Sequence, residues 1–346
     1  MTFDPDAAAK LGSGIFGLPH TRAESRIVLF PVPFDATTSY GGGASGGPAA
    51  ILRASAQVDL LDHQFGAVYQ QGIFMEEAPP WLSALSRTAR ELAAPVIARG
   101  GAEAGDQADA AIVAEVNAAS ERMNAHVYER TAAILAEGKV PGLVGGDHST
   151  PLGCIRAAAE HVARHAPEGL GVLHVDAHMD LREAFEGFAC SHASIMWNVL
   201  ARVPGVTRLV QVGIRDYGAN ERAVAEKSGG RVRTHYDFDW FTRLSRGERL
   251  EDLCREAVEP LPRNVYVSFD IDALDPCLCP RTGTPVPGGL SFNAAATLLG
   301  VLRESGRTVV AFDLNEVGAD PQGEDEWDAN VGARMLYKLC GCAAPR

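Results

Sequence analysis

The ten residues G-V-L-H-V-D-A-H-M-D (171–180) carry an apolar run that closes on two carboxylates and two imidazoles: His174, Asp176, His178 and Asp180. The run lacks strict polar alternation, as a strand covered on both faces does. Ionised groups are not accepted at the end of such a strand unless water or an opposite charge meets them, because desolvating an unpaired carboxylate costs several kcal/mol. Either these side chains point into solvent or a cation belongs among them.

Runs of the same kind recur along the chain: R-I-V-L-F-P-V-P (26–33), V-P-G-L-V (140–144), R-L-V-Q-V (208–212), N-V-Y-V-S-F (264–269) and T-V-V-A-F (308–312). Helical stretches at 109–137, 150–165, 192–202, 217–228, 292–305 and 327–340 separate or follow them. Strands alternating with helices predict an α/β fold, a central parallel β-sheet flanked by helices on both faces. The Ala-rich region 83–135 reads as a folded helical excursion from that sheet. Polar clusters follow four of the runs: G-G-D-H-S (145–149), D-A-H-M-D (176–180), S-F-D-I-D-A-L-D-P (268–276) and F-D-L-N-E (312–316). They fall at strand C-terminal ends, the edge where open parallel sheets bind ligands.

With 346 residues, 46% of them hydrophobic, the chain can bury a large core, and length alone allows one large domain or two. Forty-four acidic against 31 basic residues give a formal charge of −13, with Lys and Arg scattered rather than massed. That balance excludes a typical nucleic-acid binder and favours cationic ligands or metals. The N-terminus lacks a basic segment followed by an apolar one, and no segment approaches a membrane span, so a cytoplasmic protein is expected. Seven cysteines without framework spacing suit reduced thiols, and the C-x-C pairs at 277/279 and 340/342 lack a second pair with which to hold zinc.

In an extended segment residues i, i+2 and i+4 share a face, which would align Asp176, His178 and Asp180, and likewise Asp270 with Asp272. With His148 they make four carboxylates and two imidazoles. Two divalent cations would balance the four negative charges, whereas without cations the group would repel itself or titrate upward. Nitrogen and oxygen donors without thiolate point to an ion such as Mn²⁺, Ni²⁺, Co²⁺ or Fe²⁺. Such a pair acidifies water, which is hydrolase chemistry.

The motifs G-G-D-H-S, D-A-H-M-D and S-F-D-I-D-A-L-D-P resemble the three signatures of the ureohydrolase family, which includes arginase, agmatinase, guanidinobutyrase and guanidine hydrolase. The resemblance begins in V-P-F-D-A-T-T-S-Y-G-G-G-A-S-G-G-P-A-A-I-L, from Val32, and runs to the last helix. It implies one arginase-like three-layer α/β/α catalytic domain over 26–346, after an N-terminal extension of residues 1–25. It also implies a trimeric or hexameric assembly and a binuclear manganese or nickel site. Carried over by position, His148, Asp176, Asp180 and Asp270 would hold one ion, and Asp176, His178, Asp270 and Asp272 the other. His192 stands at the family's proton-shuttling histidine, and Glu316 at its guanidinium-binding carboxylate.

Three departures bear on the substrate. Glu316 is followed by V-G-A where relatives write x-x-P, His192 by A-S where most write G, and Trp327 precedes the last helix in E-D-E-W-D-A-N. T-T-S-Y-G-G-G (37–43) together with E-W-D-A-N looks most like the branch acting on guanidine, N-alkylated guanidines or biguanides, with urea as product. Trp327 is expected to shorten the pocket against long substrates. Agmatine or guanidinobutyrate hydrolysis is the alternative, and a subunit requiring a paralogous partner is a second. A one-zinc deacetylase-type enzyme is disfavoured by the second D-x-D cluster. A phosphate loop is disfavoured because G-G-G-A-S-G-G (41–47) matches neither nucleotide-binding pattern.

Overall fold

The computed structural model describes residues 3–344 apart from 10, 11 and 324. The strands are β1 (Ile27–Val32), β2 (Ile73–Met75), β3 (Val140–Gly145), β4 (Leu170–Val175), β5 (Val206–Ile214), β6 (Val232–Tyr236), β7 (Asn264–Asp270) and β8 (Thr308–Asn315). They form a single sheet in the order β2-β1-β3-β8-β7-β4-β5-β6. Every pairing is parallel. The helices are α1 (Gly47–Ala54), α2 (Pro80–Ala98), α3 (Gln107–Ala136), α4 (Leu152–Ala163), α5 (Ile195–Arg202), α6 (Ala219–Lys227), α7 (Asp237–Ser245), α8 (Leu250–Val258), α9 (Phe292–Glu304) and α10 (Trp327–Ala343).

Strand periodicity explains why the apolar runs do not alternate. In β1, Ile27 and Leu29 join the core on one face of the sheet, while Val28, Phe30 and Val32 join the core on the other. In β4, Leu173 and Val175 take the first face and Leu170 and Val172 the second. Each large aliphatic side chain buried this way contributes roughly 1.5–3 kcal/mol. Helices α1, α8, α9 and α10 cover the first face, and α2, α3, α4 and α5 the second. This is the expected α/β/α sandwich. The excursion at 83–135 resolves into α2 and the 30-residue α3, which starts where the Asp106 carboxylate accepts the Ala108 and Asp109 N–H groups. Ahead of β1, Ile15, Phe16 and Leu18 are buried, and the Phe16 ring packs edge-on against Tyr337 at 4.8 Å. No described helix is long and apolar enough to cross a membrane.

Five strand positions form a polar row on the second face. Asp313 of β8 pairs in register with Ser268 of β7, Ser268 with His174 of β4, His174 with Gln211 of β5, and Gln211 with Thr234 of β6. A row of polar side chains thus crosses five adjacent strands one step below their C-terminal ends. Ser268 and Asp313 belong to two of the four motif clusters, which occupy the C-terminal ends of β3, β8, β7 and β4, the central strands of the sheet.

Candidate metal centre and substrate pocket

His148 arrives on a turn that only glycine permits. A Cβ on Gly146 would lie 2.0 Å from the Phe34 carbonyl oxygen, so the chain passes backbone against backbone. Asp147 then tightens the turn, its Oδ1 accepting the Ser149 N–H at 3.0 Å. The second cluster converges differently from the expected pleat. Strand β4 ends at Val175, His178 makes only an isolated bridge to Asp216, and Asp180 adopts φ 52°. A left-handed turn, not a continued strand, therefore swings Asp180 toward the others, and its carbonyl accepts the Met196 and Trp197 N–H groups that open α5. Similarly, Asp270 is the last residue of β7 while Asp272 sits in a short 3-10 turn, tied to Asp270 by its N–H at 2.8 Å.

All six residues meet. His148 Nδ1 lies 2.9 Å from Asp176 Oδ2, 3.0 Å from Asp270 Oδ2 and 3.4 Å from Asp180 Oδ2. His178 Nδ1 lies 3.1 Å from Asp272 Oδ2 and 3.5 Å from Asp176 Oδ1. The two oxygens of Asp176 thus face the two groups separately, the arrangement a bridging carboxylate requires. Asp270 Oδ2 joins the His148 group, while its Oδ1 is taken by the Asp272 N–H.

Hydrogen bonding tests whether a cation fits. Ser268 donates its one proton to Asp313 Oδ1 at 3.0 Å, so its oxygen accepts from His148 Nε2–H at 2.9 Å. His148 Nδ1, buried and without a hydrogen-bond partner, aims at three carboxylates. The titration shifts tell the same story. Burial opposes charge at His148, yet Asp176 and Asp270 hold its pKa well above the usual value. Burial and Asp176 push Asp180 up, and burial with Asp272 and Asp176 pushes Asp270 up. So many carboxylates with so little positive charge fit divalent ions.

His174, counted in the sequence among the ionisable groups that close the run but not among the metal ligands, also reaches the cluster. Its Nε2 is 2.8 Å from Asp176 Oδ2, and by distance alone it groups with His148, Asp176 and Asp180, all donor atoms lying within 4.8 Å of one another. Asp270 is absent from that grouping, but its oxygen faces His148 Nδ1 directly and it keeps its place in the expected set.

Glu316 follows β8 with φ 61°. Its Oε1 accepts the His148 N–H at 2.9 Å, and its Oε2 is buried without a partner. A Cβ added to Gly283 would come 3.2 Å from that oxygen, so the bare glycine keeps the approach open. Burial, with Asp270 and Asp147 nearby, raises the Glu316 pKa. His192 Nδ1 is 3.9 Å from Glu316 Oε1, and its Nε2 accepts the Ser39 N–H at 3.4 Å.

Burial, with His178 and His148, lowers the His192 pKa to about 3. The ring is therefore neutral at physiological pH. Because its unfolded value is near 6.5, the unfolded chain binds the extra proton first. Stability should fall as pH drops from about 6.5 toward 3, by up to about 1.4 kcal/mol per unit. Chemical denaturation across that range is expected to show a shallower loss for His192→Asn; an unchanged slope would place the effect elsewhere.

A cavity of about 160 Å³ opens beside the cluster, lined by Ser39, His178, Asp180, Arg182, Phe185, His192, Ala193, Asp216, Glu221 and Thr284. The sequence marked Trp327 as the aromatic limiting this pocket. Trp327 is instead 48% exposed, donates its indole N–H to the Cys277 carbonyl at 3.0 Å, and is not among the lining residues. Phe185 is the aromatic wall. It sits on a two-residue hairpin, Phe185 and Phe188 exchanging backbone hydrogen bonds at 3.1 and 2.9 Å around Glu186 and Gly187, both with positive φ. The Ala102 N–H braces the hairpin through the Glu186 carbonyl at 3.1 Å. Arg182 stacks over the Phe185 ring, 4.8 Å from its centroid, and pairs with Glu221 at 3.4 Å.

The sequence profile of the arginase family matches residues 25–341. The chain belongs to the arginase family. It is 32% identical over 324 residues to the N(1)-aminopropylagmatine ureohydrolase of Thermus thermophilus, covering 92% of this chain and 90% of that protein. It is 30% identical over 319 residues to the proclavaminate amidinohydrolase of Streptomyces clavuligerus, covering 90% and 87%. The solved structure of that amidinohydrolase superposes with a TM-score of 0.69 at 25% identity, over 97% of this chain and 98% of its own. This member of the arginase family is a ureohydrolase whose buried His/Asp cluster is compatible with a binuclear metal site.

Proposed function

We propose that this arginase-family enzyme releases urea from a small cationic guanidine: guanidine itself, an N-alkylated guanidine or a biguanide. The observation that carries the reading is the Glu316 carboxylate, buried beside the cluster with one oxygen free. His148, Asp176, His178, Asp180, Asp270 and Asp272 would hold two divalent ions, Mn²⁺ or Ni²⁺, with Asp176 and Asp270 shared. When bound, such a pair supplies hydroxide at neutral pH by lowering the pKa of water. Glu316 Oε2 accepts a guanidinium N–H and fixes the plane of the cation, and binding the cation favours ionised Glu316 against the burial that raises its pKa. His192, neutral and held at Nε2 by the Ser39 N–H, carries protons on the side of the departing nitrogen. Asp216 and Glu221 against Arg182 leave the rim negative, which draws a cation inward. The family resemblance supports a cytoplasmic homotrimer or homohexamer. Assembly with a paralogous subunit is the second reading.

The cavity of about 160 Å³ and its Phe185 wall favour short substrates over the long guanidinoalkyl chains of agmatine or guanidinobutyrate. Urea release by the metal-loaded enzyme is therefore expected to show higher kcat/KM for guanidine and methylguanidines than for agmatine or arginine. Phe185→Ala should shift the ratio toward agmatine by roughly 10-fold or more, the size of discrimination that a hydrophobic wall supplies. Efficient agmatine hydrolysis by the wild type, with guanidine inert, would reverse the substrate assignment in favour of an agmatinase.

A further inference from the structure

The polar row beneath the cluster fixes how Asp176 is held. Gln211, fully buried on β5, places its Nε2 2.7 Å from the Met179 carbonyl and 3.1 Å from His174 Nδ1, while its Oε1 accepts from Thr234 Oγ1 at 3.1 Å. A carbonyl oxygen only accepts, so the group facing Met179 is the amide NH₂. Its second proton points at His174 Nδ1, which must accept. The remaining ring proton then resides on Nε2 and is donated to Asp176 Oδ2 at 2.8 Å. The register of the sheet enforces this chain, since Thr234, Gln211 and His174 are direct cross-strand partners on β6, β5 and β4.

We infer that Gln211, acting through His174, is a positioning residue that orients Asp176 and sets its donor strength, and that His174 is a hydrogen-bond donor to this carboxylate rather than a third nitrogen ligand. The inference rests on reading Asp176 as a shared metal ligand. Asp176 Oδ2 faces His148 Nδ1 at 2.9 Å on one side and takes the His174 proton on the other. The His174 N–H at Oδ2 thus works with the His178 backbone N–H, which Oδ1 accepts at 2.6 Å, to anchor the carboxylate rotation that points Oδ1 to the His178 group and Oδ2 to the His148 group. Outer hydrogen bonds of this kind set ligand orientation and metal affinity.

Equilibrium dialysis against Mn²⁺, with metal counted by elemental analysis, tests the assignment in the full-length protein. His174→Phe removes the donor and should weaken binding by roughly 10- to 100-fold while still reaching the wild-type stoichiometry at excess metal. His174→Gln, which restores an N–H, should recover part of the loss. Gln211→Leu frees the tautomer and should weaken binding by a smaller factor. If His174 were a ligand, His174→Phe would lose an ion even at saturating metal; that result overturns the proposal. Wild-type affinity in the Gln211 variant, with its apo melting temperature alone reduced, also overturns it and leaves a purely structural role. A wild type that binds no metal would remove the metal reading itself, and with it this inference.

Discussion

Asp176→Asn is expected to lose metal and activity together, with kcat/KM for the preferred guanidine falling by at least about a thousandfold. The two oxygens of Asp176 face the two ligand groups, at 2.9 Å from His148 and 3.5 Å from His178. Burial opposes ionisation there, yet His174, His148 and His178 hold its carboxyl well below the usual range. It is thus a carboxylate the site keeps charged. An amide of the same shape removes that charge and presents an NH₂ on one side, where His148 or the His174 N–H already points. Losing about 4 kcal/mol at a buried, partnered charge corresponds to that thousandfold factor. Metal analysis of the dialysed variant checks it. Retention of both ions would remove Asp176 from its shared position.

Glu316→Gln should behave in the opposite way, keeping the metals and losing turnover. Among the described residues its carboxylate is tied to the cluster by a hydrogen bond from the His148 backbone N–H to Oε1, while Oε2 has no hydrogen-bond partner. The amide can still accept that bond. What it cannot do is offer a charged oxygen to a guanidinium. A loss of about 2–4 kcal/mol of transition-state stabilisation, roughly 30- to 1,000-fold in kcat/KM, is expected. A variant with unchanged kcat/KM would show that the free oxygen of Glu316 does not meet the substrate.

The central architecture was legible because the strands buried on both faces write uninterrupted apolar runs. Edge strands do not: β2 has three residues, and β6, V-R-T-H-Y, carries three polar side chains and buries only Val232 fully. Helices α1, α7 and α8 were not marked although α5 and α6 are equally short: α1 opens at the end of the Gly-rich loop, and α7 and α8 lie between the unmarked edge strand β6 and β7. The six cluster residues were legible from ionisable groups stacked at strand ends, although the turn at Asp180 shows that a pleat was the wrong reason for their convergence. His174, Gln211, Ser268 and Asp313 were not marked as site residues, since each is one polar residue inside an apolar strand and acquires meaning only when the register places it beside the next. Trp327 was singled out by the resemblance of E-W-D-A-N to one branch of the family, which does not fix where the ring packs. Phe185 escaped because a hairpin built on Glu186 and Gly187, braced by the loop between α2 and α3, is a tertiary arrangement.

Elemental analysis of the purified protein, reconstituted with Mn²⁺ or Ni²⁺ and assayed in the same sample for urea release from guanidine, tests the binuclear site most directly. Two ions per chain, gained in parallel with activity, are the predicted result. One tightly bound zinc per chain, with no gain in urea release on adding Mn²⁺ or Ni²⁺, would contradict it.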